Sequence, residues 1–102
     1  MIKLKDKKLI NKLFDKKATK YAIINKIKMV YYKSDVSGVL VSAPTSIFKT
    51  AVDRNRVKRL LRESLVGVDT KGYIIGFIYN NDKIESFDSI NKTIKELLTK
   101  LK

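Results

Sequence analysis

Cysteine and histidine are absent from this 102-residue chain, and proline occurs once. Without cysteine there can be no disulfide, thiolate metal site or cysteine nucleophile, and without histidine the usual imidazole general base is missing. Acidic residues are scarce, 10 against 23 basic, for a formal charge of +13. Self-repulsion of that size is normally relieved by a polyanion, so nucleic acid is the first partner to consider. No apolar run approaches the roughly 20 residues that span a bilayer. The N-terminus interleaves lysines with apolar residues where a signal peptide would have an unbroken apolar stretch. The expected setting is therefore the reducing cytoplasm, with no membrane partner.

What the chain does have is a core. Apolar residues make up 44 % of it and recur with regular periods, which separates it from a disordered basic tail. Its length suits one domain with one modest core.

Asp6 can cap a first helix over residues 7–16, with Leu9, Ile10, Leu13 and Phe14 on one face and lysines around the rest. Tyr21–Lys33 is rich in β-branched and aromatic residues and reads as one strand or two. Ser34–Gly38 supplies a turn; Val39, Leu40 and Val41 form a short strand ended by Pro44, and a loop of about eight residues follows. Asp53 then reads as the N-cap of a helix with Val57, Leu60, Leu61 and Leu65 buried and Gly67 at its end. Gly72–Tyr79, almost wholly apolar, is a central strand, and Ser86 caps a last helix that buries Ile90, Ile94, Leu97, Leu98 and Leu101. The order is αβββαβα, a single α+β domain.

The sharpest signal is the distribution of arginine. All four, Arg54, Arg56, Arg59 and Arg62, fall within nine residues, and of the nineteen lysines only Lys58 joins them. Guanidinium binds phosphate through a rigid bidentate fork, whereas lysine mainly raises the local potential, so this segment is selected for geometry as well as charge. At about 100° per residue, Asn55, Lys58, Arg59 and Arg62 oppose the apolar stripe, with Arg56 at their flank. Arg54 falls nearer the apolar side in the first turn, where free N–H groups and the helix dipole also attract phosphate. The bland reading is a solvated helix face supported by an Arg59–Glu63 pair.

At DRNRVKRLLRES the chain resembles the signature of the bacterial ribonuclease P protein family: Arg-Asn-Arg, one residue, Lys-Arg, two residues, Arg. Leu4, Ile10 and Phe14 also occupy places that match the family's N-terminal pattern, and the element order is similar to the family's. The resemblance implies a mostly antiparallel central sheet with a left-handed βαβ crossover. It implies a protein with no catalytic side chain and no required protein partner, acting beside a catalytic RNA that removes the 5′ leader of precursor tRNA with bound Mg2+. On that basis Arg54, Asn55, Arg56, Lys58, Arg59 and Arg62 face the catalytic RNA. A cleft between the first helix and the sheet takes the leader, with Ile10, Phe14, Tyr31, Ser42 and Lys49 as its candidates. An aromatic residue in such positions is equally suited to a core, and for Tyr31 the neighbouring Tyr32 is an equal candidate. Two features depart from the family. Ile10 stands where an aromatic residue is frequent, and Thr45 and Ser46 stand where a lysine pair follows Ser42, with Lys49 nearby.

Three other classes compete. A general structured-RNA-binding or ribosome-associated protein would need only distributed lysines and no second, aromatic surface. A DNA-binding protein would need helix-turn-helix spacing or dimerising heptads, and the chain has neither. An autonomous nuclease would need carboxylates such as Asp53, Asp82 and Glu85 to converge on magnesium, and their spacing gives no such motif.

Overall fold

The computed structural model describes residues 7–15 and 19–101. Leu4, Asp6 and Lys16, to which the sequence pattern assigns roles, lie outside them. The order is α1 (Lys7–Leu13), β1 (Lys20–Ile24), β2 (Ile27–Lys33), β3 (Gly38–Ser42), α2 (Ala51–Ser64), β4 (Tyr73–Tyr79) and α3 (Phe87–Leu98). The strands form one sheet in the order β1-β2-β4-β3, antiparallel except where β3 runs parallel to β4. That parallel pair makes α2 the crossover between β3 and β4.

The stretch from Tyr21 to Lys33 is two strands. Asn25 and Lys26 both have positive φ, 48° and 64°, and close a two-residue hairpin in which Ile24 pairs with Ile27. A turn with two left-handed residues has the twist that antiparallel strands need, but asparagine followed by glycine is its usual chemistry. Lysine in the second place conceals the turn from a reader of the sequence.

Pleating sends alternate residues to opposite faces. On one face Ile27, Met29 and Tyr31 of β2, Val39 and Val41 of β3, and Ile75, Phe77 and Tyr79 of β4 pack under α2 and α3. From the helices, Val57, Leu61, Leu65, Ile90, Ile94 and Leu97 enter this layer, all at most 1 % exposed. Each fully buried leucine or isoleucine contributes roughly 1.5–3 kcal/mol, which makes this the main source of stability. At the end of β4 the Tyr79 hydroxyl donates to the Lys83 carbonyl at 2.7 Å and accepts from Glu85 N–H at 3.0 Å. Burial raises its pKa, so it stays a neutral donor.

Among the described residues, α1 is the element that covers the opposite face. Leu13, Val30, Tyr32 and Ile74 form a second, smaller cluster, with Leu9, Ile10 and Leu40 packed against it. Gly76 makes this approach possible: a Cβ there would lie 3.1 Å from Val30 Cγ2 and 3.4 Å from Leu13 Cδ1.

Several boundaries differ from the sequence-based expectation for local reasons. Helix α1 ends at Leu13, so Phe14 leaves the helical stripe. The N-cap of α2 is Thr50, whose Oγ1 accepts from Asp53 N–H at 3.3 Å. Asp53 instead occupies the first turn, where its charge suits the positive end of the helix. At the other end α2 stops at Ser64 with Leu65 as C-cap, and Gly67, at φ 77°, lies beyond it. The Ser86 cap of α3 is as expected, with its side chain accepting from Ser89 N–H, but α3 ends at Leu98 and Leu101 is half-buried beyond it.

Two substitutions check this account in urea or thermal unfolding. Gly76→Val should destabilise by about 1–3 kcal/mol through overpacking beneath Leu13. Lys26→Gly should stabilise by up to about 1 kcal/mol, because glycine adopts the left-handed turn position without the Cβ penalty.

Candidate nucleic-acid interface

Helix α2 carries its basic residues on the side turned away from the sheet. Val57, Leu61 and Ser64 are buried, and the remaining positions divide at helical spacing into two flanks. Arg54, Lys58 and Arg62, four residues apart, are half-buried along one flank. Asn55, Arg56 and Arg59 are exposed along the other and, with Val52, Leu60 and Glu63, line a shallow groove of about 600 Å³. All six residues proposed from the sequence thus share one helix and reach solvent as a continuous ridge.

Within that ridge the arginines have different degrees of freedom. Arg54 Nη1 donates to the Phe48 carbonyl at 2.8 Å, so one guanidinium edge ties the preceding loop to the helix. Arg59 Nε meets Glu63 Oε1 at 3.3 Å across one turn, with side-chain exposures of 79 % and 49 %. A pair so exposed adds little stability, and phosphate can replace the carboxylate as its partner. Behind the helix, Lys95 Nζ on α3 donates to the Ser64 carbonyl at 2.9 Å and satisfies one of the last carbonyls of α2.

A second surface lies on the other side of the sheet. Helix α1 is about 10 Å long and ends with Leu13 over Gly76, so it covers the rows of the sheet nearest Tyr32 and Val30. The next row, Ser42–Ile78–Lys28–Ile23 in register across all four strands, lies just past the end of the helix and is about 14 Å wide. Here Leu13, Phe14, Thr19, Tyr21, Lys28, Val30 and Ile78 enclose a groove of about 410 Å³. Phe14 is 55 % and Tyr21 66 % exposed, and Lys28 Nζ lies 5.0 Å from the centre of the Tyr21 ring.

The five leader candidates separate. Phe14 lines this groove, and Ser42, half-buried, stands on the same face in the same row as Lys28. Ile10 packs into the apolar cluster beneath α1 and gives the groove no surface. Tyr31 requires correction: it is buried on the opposite face, 6 % exposed, edge-on to Tyr73, with its hydroxyl donating to the Lys100 carbonyl at 3.2 Å. Tyr32, the alternative, is on the α1 face but 7 % exposed, with its hydroxyl bonded to the Leu9 carbonyl and Lys12 Nζ over its ring. Lys49 is exposed in the loop just before the cap of α2, outside the groove.

The groove also takes in Tyr21, Lys28 and Ile78, which the sequence pattern does not single out. Their signal was the alternation of Tyr21 and Ile23 against Ala22 and Ile24, legible only once the hairpin turn fixes the register.

A third hollow, of about 420 Å³, lies where the β1–β2 turn meets the start of α3. Its polar groups bind one another, as when Asn25 Nδ2 donates to Thr93 Oγ1 at 3.1 Å and Asn81 Oδ1 accepts from Lys83 N–H at 3.0 Å. Among the described residues no three side chains of the metal-binding types come together, and no helix is long and apolar enough to cross a membrane.

A model of the family described as Ribonuclease P matches residues 2–102. No curated protein matches the chain. Among solved structures, the RNase P protein from Thermotoga maritima superposes with a TM-score of 0.79 at 19 % identity, covering 100 % of this chain and 99 % of that one. The same organism's protein in complex with 1-(4-fluorophenyl)-2-thiourea gives 0.80 at 20 %, covering 98 % and 100 %. A Staphylococcus aureus RNase P protein mutant with defective mRNA degradation activity gives 0.78 at 16 %, covering 95 % and 85 %. At these identities the structural likeness is one of fold.

Proposed function

Since this chain belongs to the ribonuclease P protein family, we propose that it binds the catalytic RNA of ribonuclease P through α2 and the 5′ leader of precursor tRNA through the groove beside Phe14. In this reading the two together promote magnesium-dependent removal of the leader. The observation that carries it is the concentration of every arginine on the outward side of one helix, with a separate groove holding an exposed aromatic residue on the opposite face. Rigid forks on a helix suit the folded backbone of a structured RNA. A groove with an aromatic wall and a lysine beside it suits unpaired nucleotides.

In keeping with the family resemblance, we assign the metal to the phosphates of the RNA and no step to a side chain of this protein. The contribution of the protein is then to bind and to position. The arginine ridge neutralises closely spaced phosphates, which lowers the repulsion between RNA segments, and the groove adds affinity only for a substrate that still has its leader.

The reading is tested by precursor tRNA cleavage at low magnesium with a bacterial ribonuclease P RNA alone, this protein alone, and both. Cleavage should require the RNA and rise with the protein. Tight binding without stimulation would instead favour a general RNA-binding protein. Replacing Arg59 and Arg62 by alanine should weaken binding to the catalytic RNA and reduce its logarithmic salt slope by about 0.7–0.9 for each phosphate that is no longer neutralised. An unchanged slope would place the RNA elsewhere.

A further inference from the structure

We infer that Tyr21, on the edge strand β1, is a second base-stacking platform, which makes the groove a two-walled seat for an unpaired nucleotide with Lys28 beside it. This inference rests on the proposal that the leader enters the groove.

Alternation along β1 fixes where Tyr21 points. Ala22 and Ile24 pack against the core beneath α2 and α3, so Tyr21 and Ile23 turn to the face that carries α1. Three other tyrosines use their hydroxyls inside the fold: Tyr31, Tyr32 and Tyr79 donate to the carbonyls of Lys100, Leu9 and Lys83, and all are under 8 % exposed. Tyr21 differs in leaving its ring 66 % exposed on a groove wall.

Phe14, 55 % exposed, supplies the wall on the helix side. The two walls are tied together at the base of the connection between α1 and β1, where Thr19 Oγ1 donates to the Asp15 carbonyl at 2.9 Å. Lys28 Nζ, 5.0 Å from the Tyr21 ring centre, restrains the ring by a cation–π contact and places a positive charge where the backbone of a stacked nucleotide would run.

Two exposed rings with an ammonium beside them, on a chain of charge +13, suit a polyanion with free π-faces. Stacking between two rings uses the π-face that every base has, so the seat tolerates any base. The departure at Ile10 agrees with this. That residue closes the apolar cluster under α1, and Tyr21 provides the second ring from the sheet.

The test compares dissociation constants of the assembled ribonucleoprotein for precursor and mature tRNA. Tyr21→Ala should weaken precursor binding by about 5- to 100-fold, the range for one stacked base, and leave mature tRNA unchanged. Tyr21→Phe should bind as the parent does, whereas Tyr21→Leu, apolar but without a π-face, should behave like alanine. Phe14→Ala tests the underlying proposal separately. If Phe14→Ala selectively loses the precursor and Tyr21→Ala does not, Tyr21 is no platform although the leader still lies in the groove. If neither variant discriminates between the substrates, the leader lies elsewhere and both statements fall. Equal losses for both substrates with Tyr21→Ala, or full retention with Tyr21→Leu, would also overturn the inference.

Discussion

Strand β4 has to be buried on both faces, and the other elements answer to that requirement. Its segment YIIGFIY sends Tyr73, Ile75, Phe77 and Tyr79 to one side and Ile74 and Ile78 to the other, with Gly76 between them. One face is apolar enough to need two helices. The other is narrower, and the missing side chain at Gly76 lets a single short helix rest Leu13 on the sheet. Central placement also determines the pairing, because both edges of β4 are hydrogen-bonded, to β2 on one side and β3 on the other. The parallel pairing with β3 in turn requires a crossover, and the crossover is the arginine helix.

Much of this was legible in the sequence because it depends on period. An uninterrupted apolar run identified β4, the 3.6-residue repeats identified α2 and α3, and the confinement of arginine to residues 54–62 marked the ridge. Legibility failed where a local choice was decided by tertiary context. Lys26 in a left-handed turn hid the hairpin, and with it the register that separates Tyr31 from Tyr21. Asp53 and Thr50 are both competent caps, and only the geometry of the incoming loop distinguishes them. Tyr31 and Phe14 illustrate the general difficulty with aromatic residues. Either could fill a core or face a ligand; Tyr31 fills the core under α2 and α3, whereas Phe14 follows the end of α1 at the open groove.

The two basic surfaces differ in chemistry as well as position. On α2 the arginines are tied to helical spacing, one fastened to the Phe48 carbonyl and one paired with Glu63. In the groove Lys28 leans on the Tyr21 ring. A rigid fork discriminates by geometry and suits a partner of fixed shape, while a mobile ammonium beside aromatic walls accommodates many sequences. That contrast matches the proposed division of labour, in which one RNA is always the same and the leaders vary.

The sheet stands between these surfaces, yet β3 connects them. Ser42 ends the strand on the groove face, and the chain from Ala43 to Lys49 passes around the sheet edge to the Thr50 cap of α2. Phe48 anchors that passage from both directions: its ring packs on Tyr79 at 5.9 Å between centroids, and its carbonyl accepts from Arg54. Because Arg54 belongs to the ridge, a phosphate that drew its guanidinium away would release a bond holding the loop that leads to Ser42. One hydrogen bond and one aromatic contact therefore hold the segment that joins the groove face of the sheet to the arginine helix. A hydrogen bond from a charged guanidinium contributes about 1.5–3 kcal/mol to holding that segment in place.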